Sequence, residues 1–303
     1  MANPVISILR AGDTTKSDPF TICIAANPAL EAPWQTGQFV IDPIVSDPAA
    51  FDACADYINQ SLFGGLPNQL EPVLSDPAIA PLVRVTSLFE SGLPLADPNS
   101  LVAQDPSSNL LIARRAVFRA FLAARSLNAD VVYAVSKSGT HTRASAWFTS
   151  DDDAQAGVPF TLDGQALTHR YQCLIPGTIA IHSASTSLTA VHEFHHAISS
   201  YSNGSIVDLY VDSNSALNCK RGRPIPFNFA TYNGTAMASD MTRDHLGYPP
   251  GWQSCHCELI DPNVPAIMDN YWMAAPPSDP NACENDRITR QFVADRVRAK
   301  LSR

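Results

Sequence analysis

The chain has 303 residues, a formal net charge of −9 and a pI near 5.2, with 45% hydrophobic and 16% charged residues. That length holds one large domain or two small ones with ample core. The acidic balance, with no long basic run, excludes an electrostatic nucleic-acid surface. No apolar run approaches the roughly 20 residues that span a bilayer, so a soluble globular protein is expected. The opening Met1-Ala2-Asn3-Pro4 has neither a basic nor an apolar stretch, and no signal peptide is expected. Four Lys against 24 Pro lean toward a loop-rich, rigid protein of the secreted kind.

Phe20 to Ala26 reads as a β-strand, and Pro48 to Phe63 has helical spacing through Phe51, Cys54, Ala55, Ile58 and Leu62. Val83 to Phe89 reads as another strand. Ser107 to Leu127 has the strongest helical pattern, with Leu110, Leu111, Val117, Phe118, Phe121 and Leu122 on one side. Arg115 and Arg119 belong to its solvated face, whereas Arg114 and Arg125 fall within the apolar arc, where they snorkel or pair with a carboxylate. Asp130 to Val135 reads as a buried strand and Ser145 to Thr149 as a half-buried one. Asp151-Asp152-Asp153 is an acidic, solvated turn. This strand–helix alternation predicts an α/β fold, a mixed sheet with packed helices.

Gly177 to Ile181 reads as a strand leading into the segment that decides the chemistry. Ser185, Thr186 and Ser187 are N-cap candidates, and Leu188, Val191, Phe194 and Ile198 follow at helical spacing, with Asn203-Gly204 as the stop. On this helix lies His192-Glu193-Phe194-His195-His196, spelling H-E-x-x-H. Residues four apart are about 40° apart around a helix and one turn along it, so both imidazoles can reach one metal ion. Glu193 sits about 60° further round, beside the metal, where a carboxylate can take a proton from an activated water. His195 lies on the other flank of the same face and suits a supporting or substrate-facing role. With eight His in the chain, chance would produce this motif at roughly four in a thousand.

Catalytic zinc takes three protein ligands and a water. Asp208 is the first choice for the third ligand, because a chain returning from Gly204 covers about 13 Å by that point. Asp212 and Glu258 follow, with Glu284, His245 and His256 behind them. Gly204-Ser205-Ile206-Val207-Asp208 resembles the G-T-x-x-D element of aspzincins, with Ser in place of Thr. The strict metzincin continuation fails, because Ser199 and Ser202 stand where Gly and His are required. Pro265-Ala266-Ile267-Met268-Asp269-Asn270-Tyr271-Trp272 resembles the metzincin Met-turn, which implies a Met underlying the zinc ligands and a Tyr near the metal or oxyanion. That resemblance points to Met268 and Tyr271. The chain thus resembles zincins of metzincin-like type, and in layout the IgA-specific metalloendopeptidase type.

The expectation is therefore a zinc metallopeptidase acting on a peptide or protein. His192, His196 and Asp208 are the expected ligands of Zn2+. Glu193 is the general base and Tyr271 the oxyanion partner, with His195 or His256 behind it. Residues 1–213 form the α/β catalytic region. Residues 214–303 form a loop-rich C-terminal subdomain closed by an amphipathic helix from Asp286 to Leu301. The rival is a non-catalytic zinc-stabilised protein that binds a peptide or glycan. A metal-dependent hydrolase of another amide or ester is a weaker third. Seven cysteines (Cys23, Cys54, Cys173, Cys219, Cys255, Cys257, Cys283) include no C-x-x-C pair. The last four allow one or two disulfides or buried thiols.

Overall fold

A computed structural model describes residues 3–15, 19–64, 69–70, 72–147, 159–162, 165–168, 176–185, 187–198, 219–220, 223–224, 267–268, 283–285, 290, 293–294 and 296–298. The chain runs through β1 (Val5–Arg10), β2 (Phe20–Ala26), β3 (Ala29–Glu31), β4 (Phe39–Ile41), α1 (Pro48–Phe63), β5 (Gln69–Leu70), β6 (Val83–Phe89) and β7 (Val102–Gln104). It continues with β8 (Leu111–Ala113), α2 (Arg115–Ala123), β9 (Val131–Ser136), β10 (Ser145–Trp147), β11 (Pro159–Leu162), β12 (Gln165–Thr168), β13 (Gly177–His182) and α3 (Ser187–Ile198). Three short strands follow: β14 (Cys219–Lys220) pairs with β15 (Arg223–Pro224), and β16 (Cys283–Glu284) pairs in parallel with β5.

Among the described residues the principal sheet has the order β1-β6-β2-β9-β13-β10. The four central strands are mutually parallel, and β1 and β10 close the two edges antiparallel. The fold is α/β. Parallel strands covered on both faces should be apolar throughout, and β2 is buried at all seven positions and β9 at all six. One face is covered by α1 and α3, whose Phe51, Ile58, Val191 and Phe194 meet Ile22, Val85, Val131 and Ile179. The other is covered by α2 and a second, four-stranded sheet ordered β4-β3-β7-β8.

Local chemistry explains the helix ends. Asp47 caps α1 by accepting from the Ala50 N–H, and Pro48 begins the helix without needing an N–H partner. Gly64, at φ 82°, ends it in the left-handed conformation. The expected helix from Ser107 to Leu127 is shorter than its pattern. Leu111–Ala113 form a strand and only Arg115–Ala123 are helical. Backbone pairing of Leu111–Ala113 with β7 satisfies those groups in a ladder while leaving all three side chains buried. Tertiary pairing thus overrides helical spacing there. The buried face of α2 is nonetheless Val117, Phe118, Phe121 and Leu122, and Arg119 is exposed. Arg114 and Arg125 pair with carboxylates, Glu31 (2.9 Å) and Glu90 (2.6 Å).

Of the expected C-terminal helix, residues 290, 293–294 and 296–298 are described and helical. Val293 and Val297 are fully buried in the same apolar layer as α3. Arg296 donates to the Ile198 carbonyl at the end of α3 (3.4 Å), where a cation complements the helix dipole. Asp151 to Asp153 lie outside the described residues. So do the side chains of Cys173, Cys219, Cys255, Cys257 and Cys283. Cys23 and Cys54 are buried free thiols.

Candidate functional site

Helix α3 carries the motif along its second half. Leu188, Val191, Phe194 and Ile198 are buried in the sheet-facing layer together with Ala190 and Ala197, and His192, Glu193, His195 and His196 are not part of that apolar stripe. Gly177 permits this packing. A Cβ there would lie 2.0 Å from the Ala197 carbonyl oxygen, so only glycine lets the end of α3 approach the start of β13 this closely.

His192 is 4% exposed, and its Nδ1 lies 2.9 Å from the Ile267 carbonyl oxygen. A carbonyl only accepts, so Nδ1 carries the proton and the Nε2 lone pair is directed away from Ile267. A metal-binding histidine is commonly fixed in this way through its second nitrogen. His196, one turn on, is half-buried, and its ring centre lies 4.9 Å from that of His192 at 85°. Two imidazoles whose nitrogens each lie about 2.1 Å from one tetrahedral ion have ring centres about 5 Å apart. The ring separation is of the size that a shared zinc ion would require. Glu193 is buried at 9% exposure, and its charge is felt by the Tyr133 phenol beneath the helix.

His195 is fully buried, with its Nδ1 3.1 Å from the Met268 sulfur. Burial, and after it His192 and His196, push this imidazole well below its ordinary value, which keeps it neutral at physiological pH. The substrate-facing role expected for His195 is thereby corrected: a side chain with no exposed surface supports the helix from within. Residues 267–268 of the Met-turn-like segment thus lie against α3, Ile267 through its carbonyl to His192 and Met268 through its sulfur to His195.

Asp208 and Tyr271 lie outside the described residues, as do Asp212, Glu258, His245 and His256, and the Glu284 side chain is likewise not described. Among the described residues no group of three or more His, Cys, Asp or Glu could hold a metal ion. A third ligand for an ion held by His192 and His196 would have to come from residues outside that set. His182, at the end of β13, accepts from the Ala184 N–H at Nδ1 (3.1 Å), so Nε2 donates to the Ser138 carbonyl (3.1 Å). That histidine organises a turn.

Two groups escaped the sequence reading. Tyr133, fully buried in β9, donates its hydroxyl to the Ala190 carbonyl at 2.8 Å. Its signal was a lone aromatic with a polar tip inside the otherwise small and aliphatic Val131–Ser136. The Ile267 carbonyl left no signal, because backbone groups carry no residue identity. No protein-family model and no curated protein matches this chain. No helix among the described residues is long and apolar enough to cross a membrane.

Proposed function

We propose that this chain is a zinc-dependent metallopeptidase in which His192 and His196 hold the ion, Asp208 is the third ligand and Glu193 is the general base. The observation that carries the reading is the paired imidazole geometry on α3, with the His192 tautomer fixed by the Ile267 carbonyl. When bound, Zn2+ would polarise a substrate carbonyl and lower the pKa of water. Glu193, at the position after His192, accepts the proton of the attacking water and passes it to the leaving amine. Tyr271 is assigned to the developing oxyanion by the resemblance of Pro265 to Trp272 to the metzincin Met-turn.

A peptide substrate is favoured by the strand beside the helix. β10 is an edge of the principal sheet among the described residues, and it packs against α3. An extended peptide can add to an edge strand by main-chain hydrogen bonds.

Glu193→Gln is the direct test of the mechanism. The amide keeps the size of the carboxylate but cannot accept the proton, so zinc content stays unchanged while peptide hydrolysis falls by about 10²–10⁴-fold. Hydrolysis near the wild-type rate in that variant contradicts the assignment.

A further inference from the structure

Helix α3 is held to the sheet through Leu188, Val191, Phe194 and Ile198. Such a stripe keeps a helix in place but selects weakly for rotation about its axis, because hydrophobic contact is non-directional. A metal pair is far less tolerant. A rotation of about 20° moves an imidazole roughly 6 Å from the axis by about 2 Å, against a tolerance of roughly 0.2 Å in a metal–ligand distance. Because His192 and His196 turn together with the helix, such a rotation upsets their alignment with a third ligand on another segment, and a three-ligand site therefore requires directional contacts that set the rotation of α3.

Two such contacts come from the sheet. At the far end, the Ala197 carbonyl sits against Gly177 with no room for a side chain. At the near end, Tyr133 donates its hydroxyl to the Ala190 carbonyl, in the turn that also carries His192 and Glu193. Its ring stands on β9, which pairs in parallel with β2 on one side and β13 on the other. The anchor point is thus central in the sheet. Burial, then the charges of Glu193 and Cys54, push the phenol well above its ordinary value, so the hydroxyl stays a donor across the physiological range.

We propose that Tyr133 is a positioning residue for the metal pair: through the Ala190 carbonyl its hydroxyl fixes the rotation of α3 and so the directions of His192 and His196. This rests on the zinc reading above and deepens it. The phenol touches neither substrate nor ion; it acts through the helix.

Tyr133→Phe tests this by removing one hydroxyl while keeping the ring and its packing. The zinc dissociation constant is measured by competition with a chromogenic chelator, beside thermal melts of the metal-free and zinc-loaded protein. Phe51→Leu is the comparison, because it loosens the same apolar layer from α1 without a directional contact to α3. Tyr133→Phe is expected to weaken zinc binding by about tenfold or more, as when an outer partner of a metal ligand is lost. Phe51→Leu is expected to lower both melts and leave zinc affinity as it was. Wild-type affinity in Tyr133→Phe, whatever its melting temperature, overturns the positioning role alone. Wild-type protein that takes up no zinc overturns the zinc reading and this inference together.

Discussion

The two faces of the principal sheet handle buried ionisable groups in opposite ways. On the α2 side the buried carboxylates meet cations, Glu31 with Arg114 and Glu90 with Arg125. Arg114 also reaches Asp97, and Arg125 lies 3.6 Å over the Phe121 ring. On the α3 side four ionisable residues, His192, Glu193, His195 and His196, occupy five consecutive positions, where His192 meets a carbonyl and His195 a thioether. Charge pairs fix a structure and leave little chemistry available. The imidazoles of His192 and His195 are instead held by a carbonyl and a thioether. The comparison teaches that the α2 face is closed by ion pairs, whereas the α3 face gathers its ionisable groups on one helix, where the proposed function needs them.

Breaking the paired face should have the largest effect on stability. Arg114→Ala leaves Glu31, whose side chain is 4% exposed, without its main cation, and about 3 kcal/mol or more of stability is expected to go. Chemical denaturation measures that loss, and a zinc titration of the same variant should give the wild-type constant. Weakened zinc binding in Arg114→Ala would mean that the two faces are coupled.

Crowding the α3 face should cost less stability and, on the proposed function, more zinc binding. In Gly177→Ala the new methyl meets the Ala197 carbonyl and pushes the end of α3 outward. About 1–3 kcal/mol of destabilisation is expected, as for other overpacked sites, together with weaker zinc binding. A Gly177→Ala protein with unchanged denaturation midpoint and zinc affinity would show that the helix end yields freely.

The free thiols Cys23 and Cys54 give the smallest signal and the finest comparison, since Cys54 lies in the α3-side layer and Cys23 in the α2-side layer. Burial pushes each from 9.0 up to about 12. A raised folded pKa contributes stability that is complete below the unfolded value and is lost as pH rises toward the folded one. Melting temperature should therefore decline between about pH 9 and 12. At pH 8, native protein treated with iodoacetamide should leave both cysteines unmodified when their peptides are weighed. Selective labelling of Cys54 would reveal opening of the α3 face.

Much of this arrangement was legible in the residues. Strands such as Phe20–Ala26 and Val83–Phe89 and the helix Pro48–Phe63 declare themselves by uninterrupted apolar runs or by 3.6-residue spacing with caps. Arg114 and Arg125 inside an apolar arc announced their ion pairs. The stretch before α2 was not legible, because Leu110 and Leu111 fit a helical stripe as well as a strand, and pairing with β7 decides between them. In the site, H-E-x-x-H was conspicuous, but its supports were not. The Tyr133 hydroxyl and the Gly177 approach come from strands 57 and 20 residues away from their partners on α3, and such contacts follow only from the assembled sheet. Met268 was noticed for its motif, whereas its contact with His195 depends on where the chain returns.

The most direct test is elemental analysis of purified wild-type protein beside a His192→Ala/His196→Ala double variant. About one zinc per chain in the wild type, absent from a folded double variant, is the predicted result. Well-folded wild-type protein that holds no zinc even after the metal is added, or a double variant that holds as much as the wild type, would contradict the account.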